Sequence, residues 1–268
     1  MAAAPGCAAP SAERVTGDVA RAVETALAGG TERFENAAWG DLLARGTQDG
    51  QVDYRFMQEH RSDLEAYLNG IAGTRLGRLA PQHLEALLIN AYNAYTVLSI
   101  LDHSDMSSIR DIPGVWTKVR HKVGGFDLTL DEIEHRILRP FFRDPRVHFA
   151  LNCASRSCAP LPPWGYDGER LDAQLEERAR SFLSDPKNVR VEGSRILLSK
   201  YFDWYGGDFT AKDWKGSERS VVGYVARYAT ADVKAFIDRH QGRPPVDFLD
   251  YDWSLNAVVP PVTPSSTR

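Results

Sequence analysis

Apolar positions recur at helical spacing through the first hundred residues. In YRFMQEHRSDLEAYLNGIAG (54–73), Phe56, Leu64, Tyr67 and Leu68 form one stripe, which predicts a helix ended by Gly70 and Gly73. Residues 12–30 suit a short helix stopped by Gly29-Gly30, and apolar residues between Arg33 and Tyr54 have helical spacing up to the turn QDGQ. Pro81, a residue suited to a first helical turn, opens a helix that runs to about Leu101. That helix is apolar almost all round (LEALLINAYNAYTVLSIL, 84–101), but Glu85, two asparagines and two tyrosines mark it as a buried core helix, not a membrane span.

The pattern then shortens. WTKVRHKVGGFDLTL holds two β-prone runs around Gly124-Gly125, a hairpin signal. Thr129 with Glu132 three residues later forms a capping box that opens the helix LDEIEHRILRPFF. VHFALN reads as a strand of continuous apolar character. DAQLEERARSFLSD reads as a helix, and VRVEGSRILLSK as a second hairpin turning at 192–194. SVVGYVARYATADVKAFIDRH gives one or two helices, and VDFLDYDWSLN a closing strand or extended segment. Helices first and hairpins later favour a helix-rich α+β fold with antiparallel β-hairpins over alternating βαβ units. Residues 31–258 are expected to form a single domain, after a leader or tether with a short helix (1–30) and before a tail (259–268).

Composition changes this picture little. Net charge is −4 and no basic run of five or more occurs, so nucleic-acid partners are not expected. The N-terminus does add something. Cys7 follows Ala4-Pro5-Gly6 and precedes a small, flexible stretch, as at the end of a bacterial lipoprotein signal, although the preceding apolar region is missing. The expectation is a periplasmic or cell-envelope protein that meets a membrane only through a lipid on Cys7. A cytoplasmic protein with an incidental cysteine is the alternative.

The chemistry concentrates in HFALNCASRSC (148–158), which holds two of the three cysteines. Cys153 stands where an apolar segment enters a turn. There, free backbone N–H groups depress a thiol pKa and form an oxyanion hole, and Arg156 adds positive charge. A Cys153–Cys158 disulfide, a metal site using His148, Cys153, Cys158 and His135, and a structural turn are the competing expectations. C-x4-C without a second cysteine pair argues against the metal, and no cofactor is expected. His148 itself reads as a strand residue. His135 has Asp131 at i−4 and Glu132 at i−3, spacings that bring a carboxylate to an imidazole and suit a general base. Asn90 and Asn93 are primary amides in an apolar helix and need partners: either they tie that helix to a loop, or they orient a histidine or a substrate. Trp204, Tyr205 and Trp253 sit beside carboxylates, as rim residues of a cleft do.

Six stretches, in order, carry a resemblance: VDYRFMQEHRSDLEAYL, LLINAYNAYTVLSIL, FDLTLDEIEHRILR, RVHFALNCASRSCAPL, ILLSKYFDWYGGDF and FLDYDWSLN. Together, over roughly Asp53 to Asn256, they resemble the domain-of-unknown-function family 547 (DUF547). The chain departs from that pattern after the second cysteine, where Ala159 stands in place of the family's usual proline. The resemblance implies functional roles for Asn90, Asn93, His135 and Cys153. A set of asparagine, histidine and cysteine is similar to papain-like logic, in a permuted or convergent arrangement because the histidine precedes the cysteine. The expected function is an exported thiol-dependent hydrolase or acyltransferase acting on an amide or thioester of a small-molecule or peptide substrate. Cys153 would be the nucleophile and His135 the base, with Asp131, Glu132, Asn90 or Asn93 orienting it. The alternative is a non-catalytic scaffold domain with a Cys153–Cys158 disulfide.

Overall fold

The computed structural model describes residues 17–103 and 106–258. The proposed Cys7 tether and the 259–268 tail lie outside them. The chain folds as α1 (Gly17–Gly29), α2 (Ala37–Gly46), the short ladder β1 (Thr47–Gln48) and β2 (Gln51–Val52), α3 (Tyr54–Glu59), α4 (Arg61–Gly73) and α5 (Pro81–Leu101). The hairpin β3 (His121–Val123) and β4 (Phe126–Leu128) follows, then a π-helix (Glu132–Phe142) and a 3-10 turn (Pro145–Phe149). The remainder is α6 (Leu171–Ser184), β5 (Val189–Glu192), β6 (Arg195–Leu198), α7 (Tyr201–Trp204), α8 (Gly206–Thr210), α9 (Val221–Ala226), α10 (Ala231–Arg239) and β7 (Val246–Phe248). This is the helix-rich α+β architecture expected from the apolar pattern.

The all-round apolar helix is α5, with buried residues on every face from His83 to Ile100. It lies in a core with Val19 and Val23 of α1, Trp39 and Leu43 of α2, Leu64 and Ile71 of α4, and Ile133 and Ile137 of the π-helix. A second cluster gathers around Phe149, Phe182, Phe202 and Phe209, and a third, smaller one around Ile109, Ile112 and Val115.

Local signals hold where they have a specific chemistry. Gly124 and Gly125 both adopt positive φ (60° and 83°) in the β3–β4 turn, a conformation open to glycine. The capping box is formed: Thr129 N–H donates to Glu132 Oε2 (2.9 Å) and Glu132 N–H to Thr129 Oγ1 (3.1 Å). β5 and β6 are antiparallel, and β7 adds to β6 in parallel, pairing Ile196 with Val246 and Leu198 with Phe248.

Two expectations are corrected. The stretch 54–73 is two helices, because His60 (φ −111°, ψ 25°) bends the chain between them. Its ring stacks on Phe56 and bonds the Phe56 carbonyl. VHFALN is not a strand. It is the 3-10 turn followed by buried backbone in which the Ala150 and Leu151 N–H groups return to the Val147 carbonyl and a side chain supplies two further bonds. Asn93 Nδ2 donates to the Ala150 carbonyl (2.9 Å), and Asn152 N–H donates to Asn93 Oδ1 (2.8 Å). A continuous apolar run reports burial, and buried backbone needs partners, but those partners need not be a neighbouring strand.

Glu85 on α5 carries a measurable consequence. Its Oε1 is buried without a hydrogen-bond partner. Burial first, then the charge of Asp144, pushes this carboxyl up to about 8 against the opposing pull of Lys215 and Arg146. A raised carboxyl favours the folded state only while protonated. That contribution is full below the ordinary carboxyl range and is lost as pH rises through about 8. Glu85→Gln is therefore expected to raise Tm relative to the unchanged protein by about 5 °C at pH 9 and by much less at pH 5, read by thermal unfolding at the two pH values.

Candidate active site

A cavity of about 490 Å3 opens where the three clusters meet. Tyr92 and Leu151 lie on its first-cluster side, and Cys153, Cys158, Tyr201 and Tyr205 on the second. Trp116, Trp204, Tyr251 and Trp253 form an aromatic wall in which Trp253 lies near each of the other three rings, at centroid distances of 4.5–6.1 Å. Arg110 lies over the Trp253 ring. Asp131, Glu134, His135 and His148 bring the titratable groups of the opposite side.

The cysteine turn is tightly specified. Asn152 Nδ2 donates to the Ala159 carbonyl, while its Oδ1 accepts from Ala154 N–H and from Asn256 Nδ2. These bonds hold Ala154 at φ 58°, a left-handed conformation that costs a non-glycine residue energy. The C-terminal segment straps the turn from outside: Arg156 N–H donates to the Ser254 carbonyl and Asn256 N–H to the Ala154 carbonyl. Asn93 therefore acts through the backbone, fixing residues 150–152 directly ahead of Cys153.

Cys153 and Cys158 are free thiols, so the disulfide of the alternative reading is not formed in this structure. They are not equivalent. Cys153 is half-buried at the cavity wall, with Sγ 3.2 Å from both Ser155 Oγ and Tyr251 Oη. Cys158 is buried. Its sulfur accepts from Cys153 N–H (2.7 Å) and from Tyr201 Oη–H (3.1 Å). The hydrogen bond with Cys158, then those of Ser155 and Tyr251, hold the Cys153 thiol down at about 7 against the opposing effect of burial. Burial pushes the Cys158 thiol well up. Ala159 takes part through its backbone, since its N–H donates to Tyr201 Oη (3.0 Å), a bond that a proline at this position could not make.

The expected oxyanion hole is corrected by the same accounting. Cys153 N–H is engaged by Cys158, Ala154 N–H by Asn152 and Ser155 N–H by the Cys153 sulfur. The N–H groups of Arg156, Ser157 and Cys158 go to the carbonyls of Ser254, Asp252 and Ser155. Developing negative charge on a substrate would be met by side chains instead.

Of the expected catalytic residues, the structure brings Cys153, His135 and Asp131 to one cavity, which the expected aromatics Trp204, Tyr205 and Trp253 also line, and engages Glu132, Asn90 and Asn93 elsewhere. Glu132 is held by Thr129 and by Arg120 (3.2 Å), away from the histidine. Asn90 clamps the backbone of Tyr166 from both sides, Nδ2 to its carbonyl and Oδ1 to its N–H. Asp131 Oδ1 is 3.7 Å from His135 Nε2. Among the described residues, no group of three or more histidine, cysteine or acidic side chains is placed to hold a metal.

Sequence reasoning missed the ionic network behind the histidines. Arg139 forms a two-point bond with Asp208, Nε to Oδ2 (2.7 Å) and Nη2 to Oδ1 (2.9 Å), and its Nη1 donates to His135 Nδ1 (2.9 Å). Asp208 also accepts from His148 Nε2 (2.8 Å). Burial alone would raise the Asp208 carboxyl, but the bonds from His148 and Arg139 hold it below its ordinary value. Glu134 Oε1 lies between the two rings, 3.8 Å from His135 Nδ1 and 3.9 Å from His148 Nδ1. Arg139 was within reach of sequence reasoning, since it stands four residues after His135 as Asp131 stands four before it. Asp208 carried no signal, because its partners come from far earlier in the chain.

No curated protein and no solved structure matches this chain. Residues 76–183 match the family described as "Protein of unknown function, DUF547", a span that includes α5, the π-helix and the cysteine turn.

Proposed function

We propose that the cavity is a thiol-dependent acyl-transfer site with Cys153 as nucleophile, acting as a hydrolase or transferase on an amide or thioester. The observation that carries this reading is the asymmetry of the two thiols. The one at the cavity wall is acidified to about 7, and its buried neighbour is not. A thiolate available near neutral pH is the form that attacks. It forms a C–S bond to the acyl carbon, the bond to the amine or thiol leaving group breaks, and that group takes up from solvent the proton that the thiol gave to solvent on ionising. Water or a second nucleophile then releases the acyl group. The cavity volume and aromatic wall suit a small molecule or a peptide side chain with an apolar body.

Two measurements test the reading. Alkylation by iodoacetamide is expected to fall on Cys153 far faster than on Cys158, with a rate that rises through a midpoint near pH 7 as the thiol ionises. With p-nitrophenyl acetate, one acetyl group per chain is expected on Cys153, located by peptide mass mapping, together with a stoichiometric burst of nitrophenolate. Acetylation and burst should vanish in Cys153→Ser. An equal burst in that variant would sink the proposal.

A further inference from the structure

The geometry points to His148, not His135, as the proton acceptor of this site, with Asp208 fixing its tautomer and His135 serving as a hydrogen-bond donor. This rests on the Cys153 proposal above.

The assignment follows from which ring nitrogens carry protons. Arginine has donors only, so Arg139 Nη1 at 2.9 Å requires that His135 Nδ1 accept. The neutral ring then carries its proton on Nε2, the atom that faces Asp131 Oδ1 at 3.7 Å. In that state His135 offers the cavity an N–H and no basic lone pair. His148 is arranged the other way. The Asp208 carboxylate accepts from Nε2, so Nε2 carries the proton and Nδ1 is the basic atom. A buried carboxylate behind one ring nitrogen, leaving the other nitrogen basic, is the arrangement that a histidine base requires.

The surroundings support both the fixed orientation and a protonated intermediate. The His148 ring is stacked on Tyr205 at 4.0 Å and packed against Phe209 at 5.7 Å. The charged groups facing it are Asp208 from α8, and Glu134 and Arg139 from the π-helix. Burial outweighs the pull of Asp208 and holds the imidazole below its ordinary value, so the ring is neutral and able to accept at neutral pH. Once it is protonated at Nδ1, Glu134 Oε1 at 3.9 Å and Asp208 stabilise the imidazolium. His135 Nε2–H, on the same cavity, is one of the side-chain donors that the engaged backbone of the cysteine turn leaves to meet an oxyanion.

Cys153 forms its thiolate through its own hydrogen bonds, so the step that needs the base is release of the acyl group. Water attacks the thioester carbon and gives its proton to His148 Nδ1. The C–O bond forms, the C–S bond breaks, and the thiolate returns.

p-Nitrophenyl acetate separates the two steps, because nitrophenolate leaves without a proton. His148→Gln is expected to keep the one-equivalent burst and to lose roughly 10²–10⁴-fold in steady-state turnover. His135→Gln, whose amide can donate but cannot act as a base, is expected to retain turnover within about tenfold, against the 10²–10³ that loss of a donor costs. Arrest by His135→Gln with turnover intact in His148→Gln would overturn the assignment. A measurement on the unmodified protein covers the case in which His148→Gln does not fold. The acid limb of deacylation should coincide with the imidazole titration of His148 in long-range 1H–15N spectra, and coincidence with His135 would overturn the inference. Absence of any burst in the unmodified protein is a separate outcome that removes the Cys153 proposal and this inference with it.

Discussion

Asp208→Ala is expected to destabilise the protein by roughly 2–4 kcal/mol in urea unfolding, close to the cost of breaking a buried ion pair from one side and discounted for the remaining solvent contact. The carboxylate is the shared acceptor for three donors: Nε and Nη2 of Arg139 and Nε2 of His148. Side-chain exposure is 11% for Asp208 and 15% for Arg139, so removing the carboxylate leaves a largely buried guanidinium with no counter-charge at that end. His148, at 1% side-chain exposure, loses the partner that fixes its proton. Asp208→Asn keeps the shape but supplies one oxygen where the network uses two, so one donor is left facing an amide N–H. It should unfold at an intermediate urea concentration. A variant with Asp208→Ala and Arg139→Met together should recover stability, because it removes the stranded charge. Equal stability of Asp208→Ala and the unchanged protein would mean that the network contributes nothing to the fold.

Asn93→Ala is the second large effect, by a different route. It removes no charge and little apolar surface. It strands the Ala150 carbonyl and the Asn152 N–H, both buried, at about 1–3 kcal/mol each. A loss of roughly 2–5 kcal/mol is expected, measured by urea unfolding. The damage should also reach the thiol. The segment that Asn93 fixes leads straight into Asn152, whose side chain sets the left-handed Ala154 and the line of the turn. The iodoacetamide midpoint of Cys153 should therefore move up from near 7 toward the ordinary thiol value. Asn93→Asp, which keeps one oxygen acceptor but loses the donor to Ala150, separates the two halves of the clamp. A folded Asn93→Ala with an unchanged midpoint would show that the turn holds its own shape.

These variants also show what the chain made legible. Signals generated within a few residues were readable: the stripe of α4, the all-round apolar α5, the two glycines of the β3–β4 turn and the Thr129–Glu132 box. Cys153 was readable because an apolar segment ending in a turn is a local pattern. The partner of His135 was only half readable. Helical spacing pointed to Asp131 and Glu132, and Glu132 is held by the cap it forms, so one carboxylate could not serve both roles. His148 was read as a strand residue because its run is apolar; it lies in a 3-10 turn, and its carboxylate partner stands sixty residues away. The oxyanion expectation erred for a related reason: whether an N–H group is free depends on every acceptor the fold brings near it. Here those acceptors include Cys158, Asp252 and Ser254.

The strap formed by the last described residues sets an order in time. Tyr251 completes the hydrogen bonding of the Cys153 sulfur, and Asn256 joins Asn152 to Tyr54, whose hydroxyl bonds it across 202 positions of chain. A chain growing from the ribosome therefore has its cysteine turn exposed and unstrapped until nearly all of the domain has emerged. Closing so long a loop is a late event in folding. A product truncated before Tyr251 lacks one of the hydrogen-bond partners of the Cys153 sulfur.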